Sequence, residues 1–278
     1  PDKLLPRNWR NIKVPERPRQ RFNLESNLQK NAYALCNQTD LDSAITESGI
    51  DISLFRENPD GEKDKSPMGT FVTFCNTVDP VEKRAGVKSF SSSGEAQEKF
   101  QLHYARRKVD FKTKTAVKLA LFDTLRAVAS HNRLWFTDKD NKLDPALAAR
   151  LQIHLSLVVL QNDGTYTIVR IGSSPRIFKV NDKDITLVAG DGKTKRESVG
   201  VKETLNRDDF ELIEGKLDPS EHLIACSENV GKAVTPDMLQ YYSRISNHPE
   251  EAIRFLSTLA HIKGAKKQID LVILQQKK

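Results

Sequence analysis

Two apolar runs, His154–Leu160 (HLSLVVL) and Tyr166–Gly172 (YTIVRIG), flank the segment Asn162-Asp163-Gly164. Asn-Asp-Gly tolerates the unusual backbone angles of a tight turn, so this stretch predicts a β-hairpin. Arg176–Val180 (RIFKV) and Ile185–Ala189 (ITLVA) follow, with a second Asn-Asp turn between them. The middle of the chain is therefore expected to be an antiparallel sheet, and the remaining elements must be layered around it.

Earlier in the chain, residues Asn31 to Ala44 read as a short strand and a polar turn that carries Asp40 and Asp42. Residues Glu57 to Pro67 read as a turn or exposed hairpin loop from their Pro, Asp and Gly content. Gly69–Pro80 (GTFVTFCNTVDP) is a compact apolar strand ending in polar residues. The serines of Ser91–Gly94 are placed to cap a helix that carries Glu95 and Glu98 early and runs to about Lys108. A second helix, from about Asp110 to His131, sets Val117, Leu121, Leu125 and Val128 at the spacing of a buried stripe.

In the C-terminal part, Val180 to Phe210 is mostly polar and reads as largely irregular. Leu223–Val234 (LIACSENVGKAV) has an apolar strand, a polar Ser227-Glu228-Asn229 junction and a helical pattern. Polar residues at the carboxyl end of a buried strand are where layered folds place chemistry. Helices at about Pro236–Ser246 and Pro249–Ile262 precede a last strand in GAKKQIDLVILQ. The order of strand, helix pair, antiparallel strands, helix pair and strand fits a layered α+β domain with no internal repeat.

The first 22 residues carry seven arginines and lysines among four prolines, a composition that opposes a regular helix. Residues 1–22 are expected to be a basic arm, with Trp9 either its anchor or a partner contact, and residues 23–278 a single domain. No apolar run is long enough for a membrane span, and the basic start lacks a signal peptide's hydrophobic block. Cys36, Cys75 and Cys226 are odd in number and far apart, which suggests buried thiols in the cytoplasm or another reducing compartment. The net charge of +7 reads as solvating lysine. No basic stripe interleaves with aromatics, so a nucleic-acid partner is not expected.

Four segments in order resemble the landmarks of the PP2C (PPM-type) metal-dependent protein phosphatases. GTFVTFCNTVD resembles the strand ending in "FFGVFDGHG", and YTIVRIGSSPRIFKV the "ANVGDSRAYL" hairpin. LIACSENVGKAV resembles "LILASDGLWDVL", and HIKGAKKQIDLVIL resembles "ALRRGSKDNISVIVV". The resemblance implies an α-β-β-α layered sandwich over roughly Ala32–Leu274, two antiparallel sheets flanked by helix pairs, with a dinuclear Mn²⁺ or Mg²⁺ site at one end.

In that family, aspartates at the landmarks bridge the two ions. Here the resemblance puts Asn76 in place of the "DGH" aspartate and Thr77 in place of its glycine. Glu228, Asn229 and Lys232 replace the "SDG" aspartate, its glycine and the second aspartate. Lys267 and Gln268 replace the "DN" pair, Ser173 replaces the "GDS" aspartate, and Asp42 or Asp40 stands nearest the early acids. Asparagine lacks the charge, and a protonated lysine has no lone pair to donate. The implied reading is a catalytically inactive pseudophosphatase with a degenerate metal site and no cofactor. It would act as a regulatory, scaffold or protein-binding module for a kinase, phosphoprotein or other signalling protein, with Glu228 pairing with Lys232.

Two alternatives stand beside it. One is a residual or altered phosphatase using Glu228 and Asp42 around one Mn²⁺ or Mg²⁺ ion. The other is an anion-binding module in which Arg176, Lys232 and Lys267 take phosphate, or the basic arm takes an acidic membrane surface. Other motifs fall away. Asp138, Asp140 and Asp144 lack the glycine of a calcium loop, Gly190–Glu197 lacks a phosphate loop's context, and the six histidines show no zinc spacing. His154 and His261 read as structural.

Overall fold

The computed structural model describes residues 21–26, 32–38, 44–45, 49–57, 67–77, 81–82, 92–137, 140, 142, 144–145, 153–172, 175–190, 199–202, 204–246, 248–265 and 269–276. Strands β1 (Arg21–Ser26), β2 (Ala32–Gln38), β3 (Ala44–Ile45), β4 (Gly49–Phe55), β5 (Gly69–Thr77) and β6 (Val81–Glu82) come first. The helices α1 (Ser92–Lys108) and α2 (Thr113–Phe136) follow. Next are β7 (Ile153–Gln161), β8 (Thr165–Ile171), β9 (Arg176–Val180), β10 (Ile185–Ala189), β11 (Glu211–Lys216) and β12 (His222–Cys226). The chain ends with α3 (Glu228–Ala233), α4 (Pro236–Ile245), α5 (Pro249–Ile262) and β13 (Ile269–Gln275).

One sheet has the order β1-β2-β13-β12-β9-β10 and the other β11-β8-β7-β5-β4, with β3 and β6 forming a small separate pair. Every strand pair is antiparallel. Alternation along each strand separates two faces. Val72, Phe74, Val158, Leu160 and Ile168 of one sheet pack against Ile177, Leu223, Ala225, Val272 and Leu274 of the other. The opposite face of the five-stranded sheet, with Phe71, Leu155, Leu157 and Val169, takes Phe100, Val117, Leu121 and Leu125 from α1 and α2. Phe178, Ile224, Leu271 and Ile273 take Leu239, Ile253 and Leu256 from α4 and α5. The result is the expected layering of helices, sheet, sheet and helices.

The hairpin centred on Asn162-Asp163-Gly164 forms as read, with Gly164 at φ 84° and Asp163 accepting from the Thr165 amide at 2.9 Å. Both C-terminal helices begin with proline after a side-chain cap, from Thr235 to the Met238 amide and from His248 to the Glu250 amide.

Four local expectations change. Arg21 and Phe22, read as the end of the basic arm, belong to β1. Ser92 and Ser93 lie inside α1 and do not cap it; both are buried, with Ser92 bonded to Asn132 and Ser93 touching Thr73. Helix α2 starts at Thr113, because the Asp110 and Phe111 amides donate to the Arg107 carbonyl and close a turn there. Strand β11, which was not expected, directly follows the segment read as irregular before Phe210, whereas β10 forms as read. The loop expected at residues 57–67 falls largely outside the described residues, although β4 and β5 pair across it. Among the described residues, no helix is long and apolar enough to cross a membrane.

Arg170 is a wholly buried cation on β8. Its register, alternating with Ile168 on the inward face, places it between the sheets. Its Nη1 donates to the Pro175 carbonyl at 2.8 Å and its Nη2 to the Gly172 carbonyl at 2.6 Å. Its Nε lies 3.3 Å from Glu211 Oε2 on the neighbouring strand. One planar fork thus holds both ends of the β8–β9 turn, a geometry that lysine cannot copy. Gly190 permits the approach, since a Cβ there would stand 3.0 Å from Arg170 Nη1 and 2.8 Å from the Pro175 carbonyl oxygen.

His222 is half-buried at the opposite end of β12, its Nε2 in contact with Ser243 Oγ of α4. Burial pushes its pKa down to about 4, against the opposing pull of Asp182 and Glu221. A pKa so low makes it a poor general base at neutral pH, so the His-Ser contact is structural.

Arg170→Met orphans two buried carbonyls and should lower unfolding stability by about 3 kcal/mol, read from the urea midpoint, with Arg170→Lys recovering only part. An unchanged midpoint contradicts the clamp. For His222, the unfolded chain binds more protons below its ordinary pKa near 6.5 than the folded one does. Its stabilising contribution is full above that pH and is lost as pH falls towards 4, by up to about 3 kcal/mol. His222→Gln should flatten that part of the stability profile, and an unaltered slope contradicts it.

Candidate functional site

One end of the sandwich gathers the sequence-predicted positions. On the five-stranded sheet, β5 ends with Asn76 opposite His154 and Thr77 opposite Ile153. On the other sheet, β12 ends with Cys226, opposite Arg176 at the start of β9 and Leu271 near the start of β13. The Arg170 clamp joins the two, because its fork reaches Pro175 beside Arg176. Antiparallel register alone therefore brings segments about 200 residues apart in the chain to one rim.

The β12–α3 junction is the best-defined part. Ser227 precedes α3 with an extended backbone (φ −60°, ψ 161°). Its amide donates to the Asp270 carbonyl at 3.0 Å, and the Asp270 amide donates back to Ser227 Oγ at 3.3 Å. This reciprocal pair locks the strand end to β13. Glu228 then opens the helix, where a carboxylate suits the positive end of the dipole. The expected ion pair is present: Lys232 Nζ lies 2.9 Å from Glu228 Oε1, one helical turn on. Both groups reach solvent, with 35% of the Glu228 side chain and 66% of that of Lys232 exposed.

Arg176 packs along the same helix. Its Nη1 donates to the Gly231 carbonyl at 3.2 Å, and a Cβ at Gly231 would come within 3.1 Å of Arg176 Cδ. A cation at the carbonyl end of this short helix complements its dipole. The guanidinium also opposes the burial that pushes the Cys226 thiol up to about 12. Cys226 thus stays protonated and serves neither as nucleophile nor as thiolate ligand. Cys75 is buried as well.

Several predicted positions cannot be compared. Asp42, Ser173, Lys267 and Gln268 lie outside the described residues, and only the backbones of Asn76 and Thr77 are described. Conversely, sequence reading passed over Asp270, a wholly buried acid on β13, and Arg170, and it gave His154 no place at the rim. His154 is buried opposite Asn76, and its ring lies against Gly172, where a Cβ would stand 2.3 Å from Cδ2. The available signal was a lone ionisable residue within an apolar strand, in IDLVIL and in YTIVRI.

Glu228 and Asp270 are the two acids described at this rim, and a hard divalent ion takes six or more oxygens. Among the described residues no three His, Cys, Asp or Glu side chains stand together as a metal-holding group.

No family model and no curated protein matches the chain. Solved structures do. The serine/threonine phosphatase Stp1 from Staphylococcus aureus aligns at TM-score 0.59 with 10% identity, over 95% of this chain and 97% of that one. PppA of Pseudomonas aeruginosa, described as a key regulatory component of T6SS, aligns at 0.52 with 14% identity, over 84% and 99%. The catalytic domain of the serine/threonine protein phosphatase PstP, in complex with two manganese ions, aligns at 0.50 with 11% identity, over 83% and 97%. The last finding corrects one expectation. The sequence reading anticipated no cofactor, yet a domain of this architecture carries two metal ions, so that expectation is withdrawn. Two antiparallel sheets between helix pairs, matched along nearly the whole of these chains, give this protein the fold of the PP2C-type serine/threonine phosphatases.

Proposed function

We propose that this domain recognises phosphorylated protein at the β12–α3 rim and leaves the phosphate in place, acting as a pseudophosphatase that regulates or scaffolds a signalling partner. The observation supporting this is the Glu228–Lys232 pair. A carboxylate serving divalent ions offers them its oxygens, and here an ammonium already lies against one of them. An exposed pair of this kind is worth only some tenths of a kcal/mol. It opens readily, and Lys232 can then turn to an incoming phosphate alongside Arg176. The family resemblance adds Lys267 as a third cation at this rim. It also sets Asn76, Thr77, Ser173, Asn229 and Gln268 where metal-binding acids and their glycine and asparagine neighbours belong. Protein substrates are consistent with the fold neighbours Stp1 and PstP, which are serine/threonine phosphatases, and with PppA, a regulatory component of T6SS.

A second reading has its own support. PstP holds two manganese ions, and buried Asp270 shares the rim with Glu228. In that reading Mn²⁺ or Mg²⁺, held by Glu228 with Asp42, would supply the Lewis acid and the activated water of a phosphatase.

Fluorescence anisotropy with a labelled phosphoserine peptide and its unphosphorylated counterpart tests the recognition. The phosphorylated form should bind preferentially, and Lys232→Glu should weaken it by about tenfold, the effect of one charge-assisted contact. Equal affinity for the two peptides, or binding indifferent to Lys232→Glu, counts against the proposal.

A further inference from the structure

A second polar cluster lies at the other end of the five-stranded sheet. Helix α1 runs antiparallel to β5, from Ser93 touching Thr73 to the Tyr104 hydroxyl, which donates to the Met68 sulfur at 3.3 Å. The last turn of α1 therefore stands beside the start of β5, whereas Asn76 lies near its end. About 20 Å of helix separates that turn from the Ser92 end. There, His103, Arg106 and Arg107 of α1, Asp110 of the following turn, and Asp123 and Arg126 of α2 line a cavity of about 460 Å³.

The charges in this cavity do not cancel. Arg107 Nε donates to Asp123 Oδ2 at 2.6 Å, which engages both groups, and Asp110 acts on the same arginine. Arg106 and Arg126 are exposed and have no ion pair or hydrogen bond among the described residues. Arginines in the last turn of α1 complement its C-terminal dipole, which gives Arg106 and Arg107 a structural reason to be there. Arg126 stands in the middle of α2 with no such reason. His103 also lines the cavity, with its Nε2 shielded from water. Burial holds its pKa below the ordinary range, Asp123 opposing and Arg106, Arg107 and Lys99 reinforcing.

Two unengaged guanidinium forks around one opening form a donor set matched to a tetrahedral oxyanion. We propose that the α1–α2 cavity is a phosphate-binding site, in which Arg106 and Arg126 hold the anion. It is separate from the β12–α3 rim and stands whether or not the rim recognises phosphoprotein. The phosphate can arrive as the free anion or on a phosphorylated peptide; the recognition chemistry is the same.

Calorimetric titration of the whole chain with inorganic phosphate tests the site, with a phosphoserine peptide and its unphosphorylated form as competitors. In Lys232→Glu protein, which removes the rim's contribution, saturable binding is expected, and it is weakened tenfold or more when Arg106→Ala/Arg126→Ala is added. Arg106→Gln/Arg126→Gln, which keeps much of each exposed side chain, should show the same loss with an unchanged Tm. Competition by the phosphopeptide alone assigns the phosphate to a protein ligand, and no competition assigns it to the free anion. Absence of saturable binding in Lys232→Glu protein, or full affinity after either arginine double substitution is added, overturns the site.

Discussion

Burial of the two inward sheet faces against each other is the constraint on which the rest of the molecule depends. Alternating side chains put Val72, Phe74, Val158 and Ile168 against Ile177, Leu223, Val272 and Leu274. A slip of one residue in any of these strands would turn its apolar set outward. With the registers fixed, the ends of β5, β12 and β13 have no freedom to separate, and the rim they share is built from segments far apart in the chain. The helix pairs cover the outer faces and complete the layers.

The polar residues inside this apolar frame mark where it is specialised. Arg170 holds the β8–β9 turn from beneath, the Ser227–Asp270 exchange pins β12 to β13, and Arg176 braces α3. Each costs burial of polar groups, and each is compensated by hydrogen bonds to backbone atoms that would otherwise be orphaned. Against this rigid support, the Glu228–Lys232 pair is solvent-facing and loosely held. The rim thus combines a fixed backbone with a solvent-facing ion pair.

Much of the fold was legible because its signals are local. The Asn162-Asp163-Gly164 turn, the Val117–Val128 stripe and the proline-led starts of α4 and α5 are each written within a dozen residues. The elements that were missed lack such a signal. Strand β11 (ELIEGK) is only partly buried and carries three charges, and its pairing with β8 supplies the structure its sequence does not announce. The same holds at the rim. Glu228 and Lys232 could be paired from spacing alone, since both lie on one helix. Asp270 and Arg170 acquire their roles from Ser227, Gly172 and Pro175, and the long-range contact that places Asp270 beside Ser227 is invisible to a motif.

Phosphate release during a single turnover tests the central claim most directly. Excess protein is incubated with a labelled phosphoserine peptide and saturating Mn²⁺, and free phosphate is followed with time. The proposal predicts that the peptide is bound and recovered still phosphorylated. A burst of phosphate that disappears in Glu228→Ala would contradict it and establish the metal-dependent phosphatase in its place.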